Sequence, residues 1–160
     1  MQVREATEDD LAEIAVIYDH EVEFSVATFD LEAPTPEYWQ ARLSSTEPGD
    51  HLLVAVEGDR VLGYAYSWSY RPRPGYRYTR ETSIYIHRDA RGQGVARVLY
   101  PALVEAVKAS GAHTLVALVA LPNDASERLH VACGFEKVGV MKEVGRKLEQ
   151  WVDVAWYQLR

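Results

Sequence analysis

Arg91-Gly92-Gln93-Gly94-Val95-Ala96 is the stretch of this chain best equipped to hold an anion. Its glycines let the backbone turn sharply and let a ligand approach the amides. Arg88, Arg91 and Arg97 crowd around it, in a chain whose net charge is −7. TRETSIYIH (79–87) precedes it and reads as a strand, and VLYPALVEAVKAS (98–110) follows it with helical spacing. The first N–H groups of a helix are unpaired and carry partial positive charge, so a pyrophosphate set there collects several backbone hydrogen bonds and an arginine partner. A tight turn with solvated arginines is the plainer alternative. The Gly-Lys-Ser/Thr ending of a P-loop is missing. A dinucleotide fingerprint wants an acid about twenty residues on, and Glu105 is too near and lies on the helix.

The elements that must position this turn follow from periodicity. VREA opens as a short strand, and Thr7 with Asp10 forms a capping box before the helix LAEIAVIYDH. FSVATFD is an irregular or extended loop. Thr35, Pro36 and Glu37 announce a second helix that runs through YWQARL. HLLVAVE, the turn GDR and VLGYAYSWSY make a hairpin, then RPRPGYR is a loop. The helix after the anion turn ends at Gly111. HTLVALVAL is almost wholly apolar, as a strand buried on both faces should be. NDASERLHVACG is a short helix closed by Gly134, and EKVGVMKEVGRK and WVDVAWYQLR are two final strands. The order predicts a mixed sheet with helices on both sides. The strands flanking the 79–120 crossover should be parallel.

The acidic balance argues against general nucleic-acid binding and against an anionic membrane surface. No apolar run is long enough to span a bilayer. MQVREATEDD carries acids where a secretory signal needs a basic and then an apolar stretch. A lone cysteine, Cys133, fits a reducing cytoplasm and forms no internal disulfide. His20, His51, His87 and His113 show no metal spacing with it, so no metal is expected.

Arg91-x-x-Gly94-x-Ala96 after a strand resembles the acyl-CoA pyrophosphate loop of the GNAT N-acetyltransferase superfamily. Asn123 followed by Leu129-His130 and Gly134-Phe135 is similar to that family's second signature, with His130 at a tyrosine position. More narrowly, ATFDLEAPTPEYW, ETSIYI, LPNDASERLH, CGF and WVDVAWYQ resemble phosphinothricin and methionine sulfone (sulfoximine) acetyltransferases, over nearly the whole chain. The resemblance implies an α/β (α+β) fold in a single domain over residues 1–160. Its sheet would be mixed, mostly antiparallel and twisted, flanked by helices, with one parallel pair splayed apart.

The implied reaction is direct attack of a substrate amine on the thioester of acetyl-CoA. A free amine is mostly protonated at neutral pH, so a base is needed. Glu81 stands where the subgroup carries a glutamate, and a salt-bridged surface glutamate beside Arg80 or Arg77 is the alternative. His130 would hand a proton to the departing sulfur, its ordinary pKa lying near neutrality, or it simply caps groups on its helix. Asn123 would bond the pantetheine arm or cap its helix. The resemblance assigns the cofactor to the backbone of Ile84, Tyr85 and Ile86, to the turn Arg91, Gly92, Gln93, Gly94, Val95 and Ala96, and to Ser126, with Arg128 held more loosely.

For the acceptor, Arg71 and Arg73 flank a proline in RPRPGYR, and a rigid guanidinium suits a carboxylate bidentately. A solvated basic loop is the alternative. Thr28, Phe29 and Tyr78 would wall the pocket, with aromatic core packing as the competing role for the rings. The implied acceptor is a small amino-acid-like amine. A peptide N-terminus or polyamine, or a non-catalytic acyl-CoA-binding module, are the other readings; a polyamine site should present acids. Members of the subgroup are often homodimers, and WVDVAWYQLR is suited to such an interface.

Overall fold

The computed structural model describes residues 1–160. Seven strands form one sheet in the order β1-β2-β3-β4-β5-β7-β6. They are β1 (Gln2–Glu5), β2 (His51–Glu57), β3 (Arg60–Ser69), β4 (Thr79–Ile86), β5 (Thr114–Ala120), β6 (Glu136–Lys147) and β7 (Gln150–Leu159). Only β4 and β5 are parallel, joined by the crossover helix α3 (Val95–Ala109), as the element order predicts. The remaining helices are α1 (Leu11–Phe24), α2 (Pro36–Leu43) and α4 (Asp124–Ala132).

Two cores lie on opposite faces of the sheet. Under α1 and α2, Ile14, Ile17, Tyr18, Val22 and Trp39 meet Leu52, Val54, Val61 and Tyr64. On the other face, Val95, Leu99, Leu103 and Val107 repeat at helical spacing along α3 and pack on Leu53, Ala65, Leu115 and Ala117. α1 is tied to the sheet at its start. Asp10 accepts the Thr7 amide at 2.7 Å and holds Arg4 of β1 with both carboxylate oxygens, at 2.7 and 2.9 Å. The helix runs past His20 to Phe24, because Glu21 and Val22 are still buried there and no breaker precedes Ser25.

One expectation fails. β5 is not covered on both faces: Leu115, Ala117 and Val119 are buried, but Leu118 is 39 % exposed. The core beneath α1 and α2 draws on β2, β3 and β4 and includes no residue of β5. Leu118 therefore faces a gap. β6 is also almost fully exposed, with Val138, Val144 and Trp151 of its hairpin partner turned to solvent.

Candidate active site

The gap beside Leu118 begins where the only parallel ladder stops. β4 and β5 pair through Thr79↔Thr114, Arg80↔Leu115 and Glu81↔Val116, and no further. β3 stays paired with β4 to Ile86, and β7 stays paired with β5 to Ala120. The strands thus part like a forked seam, leaving one edge of β4 from Thr82 to Ile86 without a strand partner. An unpaired edge presents backbone donors and acceptors to whatever enters. The cleft is open to solvent and has a volume of about 60 Å³. Thr82, Ser83, Ile84 and Tyr85 line one side, Leu118, Val119 and Ala120 the other, and Asn123, just before α4, with Ser126 and His130 of α4 close it. Sequence reasoning had picked Ile84, Tyr85, Asn123, Ser126 and His130. Thr82, Ser83, Leu118, Val119, Ala120 and Ala27 were missed, since only the fork brings them together. Ile86 lies outside the cleft, paired with Gly63 and packed on the core beneath α3.

β4 leads directly into the arginine-glycine turn. Gly92 and Gly94 take φ values of +77° and +80°, which L side chains adopt at a penalty. Gly94 is the residue before α3, and Val95 is buried as the helix's first anchor. The amides of Gly92, Gly94, Val95 and Ala96 make no backbone hydrogen bond, so four N–H groups gather at the positive end of a long helix. Arg91 is ion-paired with the buried carboxylate of Glu21 in α1. The Gln93 side chain turns back to the Asp89 carbonyl at 2.8 Å.

Glu81 sits at the last paired position before the fork, directly opposite Trp68 of β3. It has no ion pair with Arg80 or Arg77. Arg80 is buried against Asp50 at 2.9 Å, and Arg77 lies 4.5 Å over the Tyr78 ring. Desolvation raises the Glu81 pKa above the usual carboxylate range, and the positive charges of Arg71 and Arg42 pull it back. Arg71 thus acts on Glu81 electrostatically. Arg42 was not singled out from the sequence, where it reads as an ordinary cation in the last turn of a helix.

His130 is 3 % exposed, among Tyr100, Phe135 and Tyr157. Its Nδ1–H donates to the Ser126 carbonyl at 2.7 Å, leaving Nε2 as the bare nitrogen of the neutral ring. Burial lowers its pKa, with the Ser126 carbonyl working the other way. Asn123 caps α4, its Oδ1 accepting from the Ser126 amide at 3.1 Å, while it also lines the cleft. Cys133 ends that helix, and burial pushes its thiol pKa up.

The acceptor-side residues divide. Thr28 is buried and committed: its Oγ1 bonds Tyr18 Oη at 2.7 Å and its carbonyl accepts from Lys147 Nζ at 2.8 Å. Lys147, buried in β6, also donates to the Glu21 carbonyl at 3.0 Å, so it staples β6 to the end of α1. Phe29 is partly exposed and packs on Gly145, where any side chain would run into its ring. Arg73 and Tyr78 are exposed on the loop before β4.

The chain that carries this site is similar to known proteins over nearly its whole length. The family model described as "Acetyltransferase (GNAT) domain" matches residues 3–156. A phosphinothricin N-acetyltransferase from Streptomyces coelicolor is 41 % identical over 162 residues, covering 99 % of this chain and 95 % of the relative. An L-methionine sulfoximine/L-methionine sulfone acetyltransferase from Pseudomonas paraeruginosa is 37 % identical over 98 % of this chain and 92 % of its own. Among solved structures, a GNAT superfamily phosphinothricin acetyltransferase from Sinorhizobium meliloti in complex with AcCoA superposes with a TM-score of 0.93 at 36 % identity, covering 99 % and 86 % of the two chains. The chain belongs to the GNAT acetyltransferase family and is an N-acetyltransferase resembling the phosphinothricin and methionine sulfoximine enzymes.

Proposed function

We propose that the protein transfers the acetyl group of acetyl-CoA to the primary amine of a small amino-acid-like acceptor of the phosphinothricin or methionine sulfone type. The observation that carries this reading is the parting of β4 and β5 immediately after Glu81. It puts an open strand edge, four free amides and a desolvated carboxylate along one path. The residues present suit the donor: the amides of Gly92, Gly94, Val95 and Ala96 would hold its diphosphate, and the edge of Thr82–Ile86 its amide-bearing arm. Acetyl-CoA supplies the activated acyl carbon. Glu81, directly or through one water, takes a proton from the acceptor's ammonium and frees its lone pair. Nitrogen then bonds the thioester carbon, sheds its remaining surplus proton to water, and the carbon–sulfur bond breaks. His130 hands a proton to the sulfur from its imidazolium form, which burial makes scarcer as pH rises.

We further propose that residues 1–160 act as one catalytic domain in a reducing cytoplasm, as a homodimer that uses neither metal nor nucleic acid. No helix is long and apolar enough to cross a membrane. The dimer reading rests on β6, an exposed edge strand bearing Val138, Val140 and Val144. Apolar edges of that kind ordinarily need covering.

Thiol release from acetyl-CoA tests the reaction, with methionine sulfone, phosphinothricin and a spermidine control as acceptors. Release with the first two and not with spermidine supports the reading. Release only with spermidine overturns the acceptor class, and release with none overturns catalysis on small amines.

A further inference from the structure

The α2 guanidinium is the one cation near the proposed base that the sequence pattern does not account for. Arg42 ends α2 on the face that carries Tyr66 and Trp68 of β3. Its Cζ lies 4.3 Å from the Tyr38 ring centre, 4.5 Å from that of Tyr66 and 4.6 Å from that of Trp68. Nη2 donates to Tyr38 Oη, and Nε is covered with no acceptor. No carboxylate stands within 4.0 Å of it; Glu47 and Asp50, a few residues further along the chain, are paired with Arg80. A half-buried guanidinium gains from aromatic faces, but they do not replace a counter-ion.

Its position is what gives the missing counter-ion a meaning. Trp68 pairs directly with Glu81 and Tyr66 with Ser83, so these four residues share one sheet face. Arg42 stacks over the first pair of rings and its field reaches Glu81, whose other positive neighbour is Arg71. A ligand whose ammonium meets Glu81 therefore has a planar, uncompensated cation on the same face, stacked on the ring of the strand neighbour of Glu81. That arrangement attracts an acceptor carrying an oxyanion and repels one with further positive charge.

We propose that Arg42 binds an oxyanion group of the acceptor and thereby sets its specificity. This rests on the reading of the site as one for amino-acid-like amines. The group is the α-carboxylate or the polar oxygens of the side chain, and guanidinium geometry suits both.

The test compares the full chain with R42Q and R42K on methionine sulfone, its carboxamide (no carboxylate) and methionine (no sulfone oxygens). We expect R42Q to raise KM for methionine sulfone by about ten- to a hundredfold, the range for a lost charged hydrogen bond. The penalty should vanish for the analogue lacking the group that Arg42 holds, which names that group. R42K keeps the charge and stem and should recover only part. An equal change on all three acceptors, or none on any, overturns the proposal. Melting temperature and coenzyme A affinity should match wild type; if R42Q fails to fold, the same comparison is read from R42K. Should wild type release no thiol, the transfer reading fails separately, and calorimetry of methionine sulfone binding then decides Arg42. Binding that is tightest in wild type, weaker in R42K and weakest in R42Q supports it, and equal binding or none overturns it.

Discussion

The Arg91 guanidinium of the arginine-glycine turn is ion-paired with the Glu21 carboxylate of α1, a group only 6 % exposed. Ser25 Oγ donates to the same carboxylate at 2.5 Å. The arginine expected to meet a diphosphate is therefore shared with a built-in anion. That sharing joins the turn to the end of α1, where the acceptor-side loop begins.

Competition at that pair has a sign. Arg91→Ala removes a phosphate partner and should weaken coenzyme A binding about tenfold or more. Glu21→Gln removes the rival anion and keeps the side chain's shape, so binding should tighten. Calorimetry on both variants checks this; weaker binding by Glu21→Gln would mean that the pair shapes the turn rather than competing for it.

Glu81→Gln should lower kcat by about 10²- to 10⁴-fold, the range for losing a general base, with coenzyme A affinity unchanged. Because desolvation raises the Glu81 pKa, the acid limb of the wild-type kcat profile should lie above the ordinary carboxylate range near pH 4.3. Arg71 holds that pKa down, so Arg71→Gln should move the limb to higher pH. A limb that stays in place after Arg71→Gln separates Arg71 from the base.

His130 makes stability depend on pH. Its folded pKa lies below the unfolded value near 6.5, because burial disfavours the cation. The unfolded chain then binds more protons than the folded one between those two values. Stability from this group is full above about pH 6.5 and is lost as pH falls toward the folded pKa. Urea midpoints from pH 8 to pH 5.5 should fall, and the fall should shrink in His130→Phe. In kinetics, His130→Phe should lose more rate at pH 6.5 than at pH 8.5 if the ring protonates the sulfur.

The exposed β6–β7 hairpin should be an interface between two copies. Sedimentation should show a dimer for wild type and a monomer for Val144→Asp with Trp151→Asp, both positions being about half exposed or more. A wild-type monomer at micromolar concentration would remove the dimer.

Legibility followed the range of the interactions. Local signals read well: Thr7 with Asp10, Pro36 opening α2, the alternation of β7, and the glycines before α3 all stand where periodicity puts them. The parallel placement of β4 and β5 followed from connection rules. Long-range register did not show in the chain. The ladder's end after Val116 depends on how two strands diverge in space, so Leu118 looked like core. Arg42 and Lys147 carry no signal in the sequence, since nothing nearby announces the rings over one or the carbonyls around the other. The ties of Thr28 to Tyr18 and Lys147 likewise span distant parts of the chain and leave no local trace.

The most direct test is an amide NMR titration with coenzyme A. The account predicts that the N–H signals of Gly92, Gly94, Val95 and Ala96 shift together in a saturable, one-site fashion, with those along Thr82–Ile86. Saturation that leaves these signals in place while others move would contradict it.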